Sequence, residues 1–350
     1  MPSRPNPSGL ELRASPTHDW KDSAGRKGRD RMTPFTRAAA TLAVAAVMAL
    51  AAAMPAAAGW KGARDRAMTL REHGRAAEAY STVNAVAGAR GHDLFDREFV
   101  AGWIALRSLN RPEVALGHFK RMAGAAAALK SEEAAQRAKA KAGYWIGRAL
   151  KELGRAADAR VMFTASMAYS TTFYGQLSSS ELKVPVTRER VQHAAGGYPV
   201  KDLYWHDSRA RKELVLAVIR EESRFKQNAN SSKDARGMMQ VLDGTARGVG
   251  KAAGVNVDVG LMRTNADYNI AVGSRYLADQ LERYGGNPML AAAAYNAGPL
   301  RADEWIVRFG DPRGSRVDPI DWVESIPFGE TRSYVQNVVA SYVTYIALKN

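Results

Sequence analysis

The chain has 350 residues, 46% hydrophobic and 24% charged, with 50 Lys and Arg against 35 Asp and Glu, for a formal net charge of +15. This is ordinary globular material, long enough for two domains with real cores. Cysteine is absent, which excludes disulfides, thiolate metal sites, a thiol nucleophile and a lipid anchor on an N-terminal cysteine. The basic excess suggests an anionic partner, but basic residues are mixed with acids along the chain and no zinc-finger or RNP-type motif occurs, so nucleic acid is not expected. A carboxylate-bearing polymer suits the charge equally well.

Residues 1–31 are rich in Pro, Ser, Gly, Arg and Asp without apolar periodicity, and are expected to form a disordered basic extension. From Met32 the pattern changes. Basic residues around Arg37 precede an uncharged run from Ala38 to Ala58, which ends in small residues, and 32–58 therefore predicts a signal peptide cleaved near Ala58. Met32 is then an alternative start. The run is almost all Ala, too weakly apolar for a firm membrane anchor, so membrane contact is expected only in transit, with export to the periplasm as the consequence.

Residues 59–200 are Ala-rich with a helical period, and they repeat. Leu70-Arg-Glu-His-Gly-Arg-Ala-Ala-Glu-Ala79 returns as Leu106-Arg-Ser-Leu-Asn-Arg-Pro-Glu-Val-Ala115 and as Leu150-Lys-Glu-Leu-Gly-Arg-Ala-Ala-Asp-Ala159. In each copy a helix closes at Gly or Asn, residues that tolerate the left-handed C-cap, and Ala in the next helix permits close approach. The expectation is a stack of TPR-like helical hairpins, an α-solenoid, whose role is scaffold or protein-partner surface. Ser178–Lys201, with Pro185, Gly196, Gly197 and Pro199, is expected to join it to a second helical domain over 201–350. Alternating strand patterns are scarce, and the fold class expected is all-α.

Within the second domain the spacing predicts a helix over Glu213–Phe225. At 100° per residue Leu214, Val215, Val218, Ile219 and Phe225 form one stripe, and Glu222 falls inside it. A carboxyl deprived of water holds its proton to higher pH, as a general acid must. A hydrogen-bonded structural glutamate would give the same pattern.

Downstream stand five ordered blocks: Glu222-Ser223, then Ser231, then Gly237-Met-Met-Gln240, then Ala294-Tyr-Asn-Ala-Gly298, and finally Ile326-Pro327 with Glu330-Thr-Arg-Ser-Tyr334-Val335. Together they resemble the catalytic domain of the soluble lytic transglycosylases, lysozyme-like enzymes that cleave peptidoglycan glycan strands. Gly143-Tyr-Trp-Ile-Gly-Arg148 and Phe173-Tyr-Gly-Gln-Leu177 resemble that family's superhelical portion. The resemblance implies that Glu222 is the catalytic acid/base and that Ser231, Met239, Gln240, Tyr295, Asn296 and Glu330 line the substrate site. For Met239 a core role, and for Asn296 a structural role orienting its loop, is expected ahead of contact, and for Arg332 and Tyr334 packing is at least as expected as contact. The chain departs from the pattern at Gln227, Asp234, Met238 and Leu242-Asp243.

The resemblance further implies a one-carboxylate reaction ending in 1,6-anhydro-N-acetylmuramic acid, with peptidoglycan as partner and no metal or cofactor. Two alternatives stand beside it. One is a hydrolytic muramidase using Asp234 or Asp243 as base, and the other a non-catalytic wall-binding scaffold. Exo or endo cleavage, peptide-stem preference and oligomeric state are not legible in the chain.

Overall fold

The structure, a computed structural model, describes residues 59–350 apart from Lys130 and Trp205. The expected extension 1–31 and signal segment 32–58 lie outside the described residues. Among the described residues there are sixteen α-helices, one short 3-10 segment and only isolated β-bridges, so the chain is all-α. None of these helices is long and apolar enough to cross a membrane.

The first half runs α1 (Trp60–Glu72), α2 (Ala76–Asn84), α3 (Gly91–Arg107), α4 (Pro112–Ala126), α5 (Glu132–Glu152), α6 (Ala156–Met167) and α7 (Phe173–Glu181), each packed on the next. The three repeated motifs are the α1–α2, α3–α4 and α5–α6 turns. Gly74, Asn110 and Gly154 sit there at φ of 73°, 50° and 71°, the left-handed region their residue types suit. At Gly74 and Gly154 the closure is a Schellman motif, with Arg75 and Arg155 N–H donating to the Leu70 and Leu150 carbonyls at 2.9 Å. Ala79, Ala115 and Ala159, the repeated small positions, are buried. A second repeat emerges from packing. A Cβ on Gly102 would lie 2.5 Å from the Phe119 ring, and one on Gly147 2.6 Å from the Phe163 ring. Each glycine admits a phenylalanine from the following helix. Trp103 and Trp145 fill the space between helices with no exposed surface, and truncating such a ring costs about 3–5 kcal/mol.

A short helix α8 (Arg188–Val191) and a 3-10 turn (Gln192–Gly197) follow. The second half comprises α9 (Lys212–Ser223), α10 (Asp243–Ala252), α11 (Leu261–Thr264), α12 (Ala266–Arg283), α13 (Pro288–Ala297), α14 (Pro299–Phe309), α15 (Pro319–Ser325) and α16 (Gly329–Lys349). Helix α16 is the hub: it packs on α9, α13 and α15 of its own half and on α7 and α8 of the first.

Helix α15 turns an acidic face to the first half. Asp318, Asp321 and Glu324 recur every third residue and so share one side. Asp318 pairs with Arg107 at 3.1 Å. Asp321 accepts from Trp103 Nε1 at 2.8 Å and from Arg107 at 2.7 Å, while the Arg71 guanidinium lies 4.0 Å above the Trp103 ring. Glu324, fully buried, accepts from Lys141 of α5 at 2.9 Å. The exposed pairs Arg224–Glu133 and Arg308–Glu72 add contacts between the halves, each worth about 0–1 kcal/mol.

Candidate active site

Helix α9 stops at Ser223, two residues short of the expected Phe225. Arg224 and Phe225 both take positive φ, 49° and 63°, and turn the chain away while Phe225 still packs on the core. Single left-handed non-glycine residues cost roughly 1–2 kcal/mol each, so packing of the loop overrides helical periodicity here. Leu214, Val215, Val218 and Ile219 are buried as the stripe predicts, but Leu216 and Ala217 are buried as well. The helix is therefore covered on nearly every side.

The two adjacent glutamates at its end have different surroundings. Glu221 is ion-paired: its Oε1 accepts from Arg220 at 2.6 Å and from Ser341 at 3.3 Å. It borders a cavity of about 190 Å³ between the halves that Glu222 does not line. Glu222 has no ion pair among the described residues. Desolvation pushes its pKa up to about 7, the Tyr334 hydroxyl bonded to it pulls in the opposite direction, and the negative charges of Glu221 and Glu330 raise it further. Tyr334 Oη donates to Glu222 Oε1 at 2.7 Å. A carboxyl of this kind is half protonated near neutrality, the state from which proton delivery and return are both accessible.

Tyr295 lies within electrostatic reach of Glu222. Its hydroxyl donates to the Met239 carbonyl at 2.8 Å, and burial, then the charge of Glu222, keep its phenol protonated. Tyr276 packs against its ring at 5.2 Å between centroids. Asn296 Oδ1 accepts from Thr331 Oγ1 at 2.6 Å, tying the end of α13 to the first turn of α16. Glu330, in that same turn, is exposed.

The loop after α9 is a small scaffold of turns. Ser231 Oγ accepts from the Lys233 and Ala235 N–H groups at 3.2 and 3.0 Å. Gln240 Nε2 donates to the Ala229 and Gly237 carbonyls at 3.0 and 2.8 Å. Gly237 has φ of 72°, and a Cβ there would fall 2.3 Å from Asn269 Nδ2. Met239 takes the core role of the two open to it. Its side chain is fully buried against Gly273, so it belongs to the core, and its contribution to the site is the carbonyl that holds Tyr295.

Of the alternative bases, Asp234 is exposed in a left-handed turn, and Asp243 is paired with Arg236 at 2.8 Å. Two residues have roles that motif reading did not assign. Tyr334, for which packing and contact both stood open, is buried and bonds Glu222. Asn269, buried on α12, joins the loop to α11: its Oδ1 accepts from Met239 N–H at 2.8 Å, and its Nδ2 donates to the Arg236 and Met262 carbonyls at 2.8 and 2.9 Å. Its only sequence signal is a polar residue at a core phase of α12.

Residues 205–316 match the transglycosylase SLT domain family. Over 143 residues the chain is 36% identical to the soluble lytic murein transglycosylase of Salmonella typhimurium, covering 40% of this chain and 22% of that protein. Over 130 residues it is 37% identical to that of Escherichia coli K12, covering 37% of this chain and 20% of the relative. These alignments span about a fifth of the length of the curated relatives. Among solved structures, the 70 kDa soluble lytic transglycosylase of Escherichia coli superposes with a TM-score of 0.53 at 19% identity, over 81% of this chain and 62% of that one. The 70 kDa soluble lytic transglycosylase in complex with bulgecin A superposes with a TM-score of 0.51 at the same identity and coverage. The backbone likeness shows a shared all-α fold, and the sequence match to the transglycosylase SLT domain falls on residues 205–316, within the second half of the chain.

Proposed function

We propose that the chain is a lytic murein transglycosylase that cleaves the bond between N-acetylmuramic acid and N-acetylglucosamine with one carboxylate. The observation that carries this is Glu222: desolvated, outside any described ion pair, and bonded to a tyrosine hydroxyl. Most glycosidases add a second carboxylate as nucleophile or base; here Asp243 is paired with Arg236 and Asp234 is out in solvent.

In the proposed reaction, protonated Glu222 donates to the bridging oxygen as the bond from that oxygen to C1 of the muramoyl sugar breaks. The substrate's acetamido oxygen steadies the positive charge at C1. The C6 hydroxyl of the same sugar then attacks C1 and passes its proton to the Glu222 carboxylate. The products are a 1,6-anhydro-muramoyl end and a free N-acetylglucosamine 4-hydroxyl, no water is consumed, and Glu222 is again protonated. Holding C6–OH over C1 makes the attack intramolecular, the source of large effective molarities.

Tyr334 orients the acid, and Tyr295 presents a protonated phenol near the developing charge. Ser231, Gln240, Asn296 and Glu330 are proposed to line the glycan path, with the Met239 carbonyl fixing Tyr295. Such a substrate lies beyond the cytoplasmic membrane, which agrees with the export expected from residues 32–58 and a periplasmic site of action. The proposed domain division is 59–200 for the helical-hairpin array, offering surface to protein partners, and 201–350 for the catalytic unit.

Digestion of purified sacculi with mass spectrometry of the fragments tests the proposal. Anhydro-muropeptides from the wild type, absent with Glu222→Gln, are expected. Reducing muramic ends would mean hydrolysis, and equal activity in both proteins would remove Glu222 from the chemistry.

A further inference from the structure

The reading of Glu222 leaves one buried charge cluster unused. Glu324 on α15 has no solvent exposure. Its Oε1 accepts from Lys141 Nζ at 2.9 Å, from Gln336 Nε2 at 2.7 Å and from the hydroxyl of Tyr174. Its Oε2 has no hydrogen bond and faces Arg332 Nε at 3.8 Å. Desolvation alone would neutralise this carboxyl, but the Lys141 and Arg332 charges hold it ionised. Lys141 also lies 3.4 Å over the Phe99 ring. Lys141 and Tyr174 belong to α5 and α7 of the first half, whereas Arg332 and Gln336 belong to α16.

The register of α16 gives this cluster a consequence. Residues 332 and 336, four apart, share a face, while residue 334 is rotated by about 200° from 332. One turn of the helix is thus gripped on one side by Glu324 and presents Tyr334 to Glu222 on the other. The turn before it carries Glu330 and Thr331, the latter bonded to Asn296. The geometry points to Lys141 and Tyr174 as positioning residues: by clamping Glu324 they set the rotation of α16 that delivers the Tyr334 hydroxyl to Glu222. The first half then acts on the reaction without touching substrate. This rests on Glu222 being the acid. The groups facing Glu222 are Tyr334 and Glu330 from α16, Tyr295 from α13 and Glu221 from its own helix, so loss of the Tyr334 bond is the change the clamp can impose.

The test uses the full chain with Tyr174→Phe and with the double variant Lys141→Met/Glu324→Gln, which removes the Lys141–Glu324 ion pair as a unit. Lys141→Arg, which keeps the cation, serves as the conservative control. Folding is checked by circular dichroism and thermal melting. The expected result for both folded variants is a roughly tenfold fall in kcat on isolated glycan strands with KM within twofold. The alkaline limb of the pH profile should move upward by half a unit or more, with Lys141→Arg close to wild type. The Glu222 carboxyl, titrated directly by carbon-13 NMR, should show the same upward shift. Folded variants with unchanged kcat and unchanged Glu222 titration would overturn the clamp. A wild type that releases no muropeptides, or an active Glu222→Gln, would overturn the functional proposal instead; the NMR titration then still decides whether the clamp sets the Tyr334–Glu222 contact.

Discussion

Tyr334 donates its hydroxyl proton to Oε1 of Glu222 at 2.7 Å, across 112 positions of chain and between the two helices, α9 and α16, that form the spine of the second half. The bond favours the ionised form of a carboxyl that burial pushes toward neutrality, so the two influences oppose each other and leave Glu222 near 7. Replacing Tyr334 with Phe removes the donor and nothing else of comparable size. A hydrogen bond to a charged group is worth about 1.5–3 kcal/mol, so the Glu222 pKa should rise by about one unit or more. The alkaline limb of activity, which follows loss of the acid's proton, moves up with it. The maximal rate should fall about 10- to 100-fold because the acid loses its orientation. A pH–rate profile that does not shift would contradict this relationship.

The same carboxyl has a price in stability. Its folded pKa of about 7 lies above the ordinary glutamate value of 4.5, so the folded state binds a proton more tightly than the unfolded chain. The sign follows: the favourable contribution is fully present below pH 4.5 and is lost as pH rises through 7. The difference is on the order of 3 kcal/mol. Glu222→Gln should therefore melt above the wild type at pH 8 and close to it at pH 4.5, while losing activity by about a thousandfold or more. Melting curves at the two pH values check this. Equal melting temperatures at both would mean that the carboxyl is solvated.

Much of this was legible locally. The left-handed turns at Gly74, Asn110 and Gly154 follow from residue type within a repeat, and burial of Leu214, Val215, Val218 and Ile219 follows from helical phase. What escaped is what joins distant segments. Tyr334 reads as readily as a packing aromatic on α16 until α9 is laid beside it, and nothing local marks Glu324 until Lys141 and Tyr174 arrive from the first half. The end of α9 was missed because periodicity continues to Phe225 although the backbone turns at Arg224. Met239 could be given either role because a motif position does not say whether side chain or carbonyl faces the site.

The loop after α9 depends on one backbone position. Gly237 combines a φ of 72° with a site where an added Cβ would meet Asn269 Nδ2 at 2.3 Å and the Met262 carbonyl at 2.4 Å. Gly237→Ala must therefore displace Asn269, whose amide holds Arg236, Met239 and Met262. Left-handed strain and loss of these bonds together should cost about 2–4 kcal/mol. Because the Met239 carbonyl anchors Tyr295, glycan cleavage should fall even in protein that remains folded at 25 °C. Unaltered melting and activity would show that the loop relaxes freely.

The helical hairpins of the first half offer a prediction remote from the chemistry. Gly147 on α5 faces Phe163 on α6, where a Cβ would sit 2.6 Å from the ring, and Phe163 is itself buried against Tyr144 at 5.9 Å between centroids. The ring is enclosed and must either shift or push the two helices apart, and overpacking of this kind costs about 1–3 kcal/mol. Against that, alanine gains up to about 1 kcal/mol over glycine in a helix interior. Overpacking is the larger effect, so Gly147→Ala should lower the melting temperature. Enlarging the pocket in the same molecule, with Phe163→Leu, should recover part of the loss, because the smaller side chain vacates the volume the methyl needs. A double-mutant cycle measures this: the two changes together should cost less than the sum of each alone, and strict additivity would mean that Gly147 and Phe163 do not share a packing site.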